Sequence, residues 1–410
     1  MTQRGALDER VAGLSEELAI AFRALIEPLV GSSPRATDVQ ERLGLDKTQS
    51  WRVVQLMGGE DPFEAVYESP APKGLLGIVR AADAVGASAE AISKAEDAVE
   101  LFENLLTEFP DGRAGLDAAL AAHVPKARDA LYRDARRKMA QGMAQIFGVR
   151  AAARYSAAII VPSEEDEVSC DVLLLTGYVG FRRLRSGPKP IVFAGRHYKA
   201  VPGAESPRLL TLDGRGDDDP RLRYMEDFST LPASKLDLEM SGEELRLTLA
   251  AGEPGVNEPV TMFFGQKIAR GLRRHKIDDR PYEVINNLLK SPSDAAVFDT
   301  LIHQDLYPEA DPPELTIERF GFNPTRQSSR FEDDAFRIED SIAAKSLGDG
   351  LARSPSREVP RLKEVLESVF ATAGEDPADY RLYRATQVYP LPGFSVVTWL
   401  GLGAGLGERE

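Results

Sequence analysis

Residues 35–57 constrain the fold of this chain most, because their spacing fits two helices joined by a tight turn. Val39 and Leu43 are four residues apart, as on one face of a short helix. Gly44 follows, and glycine can adopt the left-handed conformation of such a turn without a Cβ clash. Asp46 then stands where its side-chain oxygen would cap a second helix. The spacing therefore predicts a helix-turn-helix.

The second of these helices has one apolar face and one polar face. Val53 and Leu56 are spaced to point inward, whereas Lys47, Thr48 and Arg52 would face outward. A recognition helix presents such polar side chains when it enters the major groove of DNA. The sequence therefore predicts DNA binding.

The same segment resembles the recognition helix of bacterial helix-turn-helix transcriptional regulators, nearest to the IclR type and also similar to the LacI type. The matching positions are Gly44, Asp46, Arg52, Val53 and Val54. Two positions depart from the pattern: Gln40 replaces the usual alanine, and Ser50 stands where many members have valine or isoleucine. The resemblance covers residues 35–57 only, and nothing after Met57 resembles the effector domain of either family.

The resemblance implies that Lys47, Thr48 and Arg52 contact base edges, since Arg and Lys can donate to the acceptors of guanine. Gln49 and Arg35 would hold phosphates, which fix the register of the protein on DNA. Helix-turn-helix geometry also serves purely as a packing unit. The alternative is therefore a self-associating interaction or scaffold protein.

Apolar periodicity predicts further helices on both sides of the motif. A long amphipathic helix is expected over 7–30, and Trp51 is expected to pack on it near Phe22, with stacking on the DNA backbone as the alternative. Residues 74–148 are expected to be helical, with core packing as the favoured role of their apolar stripes and dimerisation as the alternative. The second of these stripes comprises Leu131, Ala135, Met139, Met143 and Ile146. The basic side chains of that last helix would form a solvated face or contact phosphates; they are Arg128, Arg133, Arg136, Arg137 and Lys138.

From about residue 150 the pattern changes to that of β-strands. Strands are expected at 155–162, 171–181, 190–194, 208–212, 236–240, 244–249, 260–264, 314–320 and 394–400, with a hairpin joining the fifth and sixth. Helices are expected at 282–289, 294–306 and 359–371. We expect an α+β multidomain protein with a largely antiparallel sheet: a helix-turn-helix domain over 1–58, a helical connector or dimerisation region over 59–150, and an α+β domain over 151–410.

Composition limits the function classes. The net charge of −15 disfavours indiscriminate nucleic-acid binding, and residues 31–57 carry a net charge of only +1. DNA binding should therefore depend on specific contacts or on a homodimer or higher oligomer. No secretory signal or membrane-spanning run is found, so a soluble cytoplasmic protein is expected. The single cysteine, Cys170, is expected to be a buried small hydrophobe.

No residue pattern supports catalysis or a bound cofactor. The four histidines lack metal-ligand spacing, and no phosphate-binding glycine motif is present, so no metal, cofactor or catalytic residue is assigned. The acidic loop 213–219 is expected to be a solvated turn rather than a calcium site, and the basic stretch 270–276 to spread its charges over a helix surface. The sequence predicts a sequence-specific DNA-binding regulator with a C-terminal sensing or assembly domain, and an enzyme is the third choice.

Overall fold

The computed structural model describes residues 3–165, 167–186, 190–195, 207–215, 220–241, 244–250, 259–276, 282–308, 311–319 and 342–402. It divides into two compact units, Met1–Asp134 and Ala135–Glu410. The first unit is helical and the second is built on β-sheets, so the predicted α+β class is confirmed. The boundary between the two units lies inside one helix, after residue 134. The sequence predicted three segments instead, with boundaries after residues 58 and 150.

The first unit is formed by helices that pack around one large hydrophobic core, with a second, small cluster of Ala121, Val124 and Ala127. The helices are α1 (Gln3–Val30), α2 (Ala36–Leu43), α3 (Lys47–Gly58), α4 (Pro62–Glu68), α5 (Pro72–Ala84), α6 (Ala89–Thr107), α7 (Arg113–Leu120) and the first part of α8 (Pro125–Phe147). Leu18, Phe22 and Leu25 recur at helical spacing along α1 and are fully buried or nearly so. The core continues from them to Leu120, so residues 1–58 have no core separate from that of the helices that follow.

The second unit contains two smaller sheets and one large one. The strands are β1 (Val149–Pro162), β2 (Ser169–Arg183), β3 (Ile191–Gly195), β4 (Arg208–Leu210), β5 (Leu236–Ser241), β6 (Glu244–Leu249), β7 (Val260–Arg273), β8 (Tyr282–Leu288), β9 (Ser293–His303), β10 (Glu314–Glu318), β11 (Lys345–Asp349), β12 (Tyr380–Val388) and β13 (Ser395–Gly401). The large sheet has the order β11-β12-β9-β1-β2-β7-β4, and the small ones β10-β13-β8 and β3-β6-β5. Among the described strand pairs only β1 and β9 are parallel, which confirms the largely antiparallel character.

Alternation along β1 places its side chains in two different cores. Tyr155 and Ile159 pack with helix α9 (Leu362–Ala373) on one face of the large sheet. Ala158 and Ile160 lie on the other face, in a core shared with Ile285 of β8. Both faces of the central strands are thus covered, and β1 is buried along most of its length.

Two of the predicted helices are strands. The expectations for 282–289 and 294–306 were wrong, because these residues form β8 and β9. A short apolar run does not distinguish a buried strand from a buried helix, and β9 is buried because it lies between β1 and β12. The hairpin of β5 and β6 and the helix α9 are confirmed, whereas β11 and β12 were not expected. Most of the stretch 323–356 and the tail from 403 lie outside the described residues.

The second apolar stripe of the helical region does not lie in the core. On α8, Leu131 is 39% exposed, Met139 37% and Ile146 65%, so the expected core packing of this stripe is wrong. The preceding stripe on α6 is in the core as predicted, with Ala95, Val99 and Phe102 almost fully buried. Of the basic residues on α8, all but Arg136 have exposed side chains.

None of the helices that the structure describes is long and apolar enough to cross a membrane.

Candidate nucleic-acid interface

Helix α1 supports the predicted motif. Phe22, Leu25 and Ile26 are buried in the core against which α2 and α3 pack. The Arg23 side chain donates a hydrogen bond to the backbone carbonyl of Met57, near the end of α3. A fixed support helix matters because a recognition helix can read DNA only if its own orientation is fixed.

Helix α2 begins and ends with defined caps. The backbone N–H of Arg35 donates to the Asp38 carboxylate at 3.1 Å, and the Arg35 guanidinium donates to the same group at 3.1 and 3.2 Å. Arg35 therefore lowers the pKa of the Asp38 carboxyl below its ordinary value. The helix ends at Gly44, whose φ of 67° and ψ of 26° are left-handed, and the Gly44 N–H donates to the Gln40 carbonyl at 2.9 Å. The predicted glycine turn is confirmed.

Helix α3 begins at the predicted cap. The Asp46 carboxylate accepts a hydrogen bond from the Gln49 backbone N–H at 2.9 Å, which satisfies a donor that the first helical turn leaves free. Ser50 is fully buried, and its hydroxyl donates to the Asp46 carbonyl at 2.9 Å. This bond gives the hydroxyl of the enclosed serine a hydrogen-bond partner. Val53 and Leu56 are buried as predicted.

The outer face of α3 carries the side chains expected to contact bases. Lys47, Thr48 and Arg52 are exposed, and no ion pair within the described part of the chain occupies Lys47 or Arg52. Thr48 and Arg52 are one helical turn apart and therefore share a face. Gln49 is half-buried. These four residues lie together at the start of α3, whereas Arg35 lies at the start of α2 with its guanidinium held by Asp38.

Two further residues belong to this surface. Trp51 is 43% exposed, so part of the indole is open to solvent; its favoured packing on α1 near Phe22 and the alternative of stacking on the DNA backbone both stay predictions. Gln55 is exposed as well. Both could have been assigned from spacing, because Lys47, Trp51 and Gln55 follow one another at intervals of four and so line one side of a helix.

The electrostatics of this surface are mixed. The carboxylates of Asp38 and Asp46 are engaged in the two helix caps, and Glu41 on α2 is exposed. These three carboxylates offset most of the charge of the four nearby cations, which are Arg35, Arg42, Lys47 and Arg52. A surface of this kind would gain less from counterion release on DNA than a strongly basic surface would.

The second unit contains a buried cluster of polar groups that could be mistaken for an active site. Asp299 accepts hydrogen bonds from Tyr155 at 2.9 Å and from the Arg384 guanidinium at 2.7 and 2.7 Å. Burial raises the pKa of both Asp299 and Tyr155. The Asp299 side chain is fully enclosed and that of Arg384 is 12% exposed, so a substrate could not reach the carboxylate without opening the sheet. This cluster joins β1, β9 and β12 and is structural.

Other charged groups singled out in the sequence are paired internally. Arg270 and Arg273 lie in β7 rather than on a helix, and they form ion pairs with Glu165 and Glu283. In the acidic loop, Arg215 and Thr211 bind the Asp213 carboxylate and lower its pKa to about 2. The remainder of this loop, 216–219, lies outside the described residues. Within the described ranges, no group of three or more His, Cys, Asp or Glu side chains is arranged to hold a metal ion.

Comparisons with known proteins identify no family. No protein-family model and no curated protein matches the chain. Solved structures that match it include a putative protease from Parabacteroides distasonis, at 8% identity over 62% of this chain and 40% of that chain, with a TM-score of 0.25. Another is an M1 zinc metallopeptidase from Deinococcus radiodurans, at 7% identity over 61% and 42%, with a TM-score of 0.23. The chain thus spans about two fifths of the length of each, and TM-scores this low carry no argument about its fold or activity.

Proposed function

We propose that this protein is a sequence-specific DNA-binding transcriptional regulator that inserts α3 into the major groove of duplex DNA. The observation that carries the proposal is the exposed face of α3, where Lys47, Thr48 and Arg52 project from a helix held by α1 and by the Asp46 cap. Such a helix, fixed on its inner side and polar on its outer side, is the element that reads base edges in helix-turn-helix proteins. Gln49 and Arg35 would contact phosphates beside it. Because the resemblance is to bacterial regulators, whose DNA lies in the cytoplasm, the proposed location is the cytoplasm.

A homodimer would compensate for the weak charge of a single motif. The α8 stripe of Leu131, Met139 and Ile146 is exposed, and its period is that of a helix that packs on another helix. Pairing of this stripe with a second copy would bring two recognition helices to one site and set the spacing of the half-sites. The C-terminal unit would then sense a signal or mediate assembly.

A salt titration tests the DNA contact. The logarithm of the association constant for a random-sequence duplex should fall linearly with the logarithm of the salt concentration, with a slope of about −0.9 per phosphate neutralised. On a random-sequence duplex Lys47 and Arg52 have no matching bases and would lie against phosphates, so Lys47→Ala with Arg52→Ala should reduce the magnitude of that slope by up to about 2. The control variant, Lys73→Ala with Arg80→Ala, removes the same charge from exposed positions on α5 and should leave the slope unchanged.

Two outcomes would contradict the proposal: no duplex is retained from a random pool at low salt, or the slope changes equally in both double variants. Selection of bound duplexes from a random pool then tests sequence specificity. Enrichment of a single motif supports a regulator, and an inverted repeat within that motif supports the dimer. A bound pool that remains random in sequence would refute sequence-specific recognition.

The exposed α8 stripe also favours a second candidate function, that of a self-associating scaffold in which α2 and α3 only pack. Light scattering behind size-exclusion chromatography distinguishes the two. A defined dimer that is dissociated by Met139→Glu with Ile146→Glu fits the regulator, whereas open-ended association without DNA binding fits the scaffold. Leu101→Glu, at a residue that is 50% exposed on α6, is the matched control and should not affect assembly.

A further inference from the structure

Trp51 is an exposed large apolar side chain on the outer side of α3. Trp51 lies one helical turn after Lys47 and directly before Arg52, and 43% of it is open to solvent. A large aromatic side chain left in water on a polar helix face forgoes much of the free energy that its burial would provide. The other tryptophan, Trp399, is 7% exposed and donates its indole N–H to the Thr316 hydroxyl at 2.8 Å.

We propose that the indole of Trp51 contacts the 5-methyl group of a thymine in the major groove and thereby selects thymine at one position of the DNA site. This inference rests on the proposed function, because it requires that α3 enters the groove. Trp51 lies on the same side of α3 as Lys47 and next to the side that carries Thr48 and Arg52, so if these residues reach the base edges the indole enters the groove with them.

The chemistry of the groove identifies the group that an indole would meet. The base edges in the major groove display hydrogen-bond donors and acceptors, and the apolar group among them is the methyl of thymine. An indole placed against donors and acceptors alone would remove them from water without replacing their hydrogen bonds, which is unfavourable. Contact with the methyl group avoids that cost and buries apolar surface on both partners.

Fluorescence can test whether Trp51 meets DNA. The chain contains two tryptophans, so the difference between the wild-type protein and Trp51→Phe isolates the emission of Trp51. Acrylamide should quench this emission readily in the free protein, and quenching should fall when a duplex selected from a random pool is added. Anisotropy of a labelled duplex, measured in the same samples, reports binding independently of tryptophan.

Replacement of each thymine in turn by deoxyuracil removes only the methyl group and tests the base contact. At one position this replacement should weaken binding of the wild-type protein about fourfold, which corresponds to the free energy of burying one methyl group. Trp51→Ala should bind more weakly and should not distinguish thymine from uracil at that position. Ile20→Ala, at a residue that is 54% exposed on α1, should keep both the affinity and the discrimination.

The results separate this inference from the function on which it rests. If the duplex binds but quenching of Trp51 is unchanged, the indole does not meet DNA and the inference is wrong. The inference is also wrong if no uracil substitution weakens binding, or if Trp51→Ala still distinguishes thymine from uracil. In either case the indole does not contact a thymine methyl group. If no duplex binds, the proposed function itself fails.

Discussion

Replacement of Arg384 by alanine should destabilise the second unit strongly. The guanidinium provides two of the three hydrogen bonds to the Asp299 carboxylate, each 2.7 Å long, and also donates to the backbone carbonyls of Ser354 and Pro355 at 2.7 and 3.0 Å. Because the Asp299 side chain is fully enclosed, water cannot replace the lost partner. Breaking a buried pair by removal of one member costs about 3–5 kcal/mol of unfolding free energy.

A second ion pair, between β1 and β9 of the same sheet, provides the control. Arg150 on β1 binds Asp294 on β9 at 2.6 Å, but these side chains are 42% and 39% exposed. Arg150→Ala should therefore cost less than about 1 kcal/mol. Urea unfolding can be followed by fluorescence in a Trp51→Phe background, where Trp399 on β13 reports on the second unit alone.

The loss in Arg384→Ala should also depend on pH. Burial already raises the pKa of Asp299, and Arg384 is the main group that opposes this shift, so its removal raises the pKa further. A carboxyl with a raised pKa in the folded state destabilises the protein as pH rises above its unfolded value of about 3.9. We therefore expect a smaller loss at pH 5 than at pH 8. Equal losses at the two pH values, or a loss no larger than that of Arg150→Ala, would refute the reasoning.

Three further predictions concern single positions. Asp46→Asn should retain the cap of α3 and strengthen DNA binding by removing a negative charge, whereas Asp46→Ala should lower the unfolding free energy by about 1 kcal/mol, measured by thermal melting. Gly44→Ala should cost about 1–2 kcal/mol because of its left-handed backbone, while Gly58→Ala within α3 should be neutral or stabilising. Burial raises the pKa of Cys170 to about 12, so its thiol should resist iodoacetamide at pH 8 until urea unfolds the second unit; rapid labelling of the folded protein would contradict this.

Local chemistry made the helix-turn-helix predictable from sequence. Gly44 and Asp46 act through bonds to residues three or four positions away, so their roles can be inferred from spacing. The hairpin of β5 and β6 was predictable for the same reason, since a short turn joins two alternating runs. Each of these features depends on a handful of consecutive residues.

Features that depend on distant residues were not predictable. Asp299 is separated by 144 positions from Tyr155 and by 85 from Arg384, so no local pattern connects them. Periodicity correctly identified the apolar stripe of α8 but could not show which side of the helix the core would cover. The partial exposure of Trp51 was not predictable from its residue type, because an indole is apolar enough for a core and polar enough for a surface.

The parallel pairing of β1 with β9 also determines when the second unit can fold during synthesis on the ribosome. The helical unit ends at Asp134 and can fold while the remainder is still being synthesised, since its buried apolar clusters end at Ala127. β1 can pair with β9 only after Ser293–His303 has been synthesised, and the sheet gains β12 only after Val388 is added. During that interval β1 lacks one of its two neighbouring strands. We therefore expect folding of the second unit, rather than of the first, to depend on chaperones that bind the nascent chain.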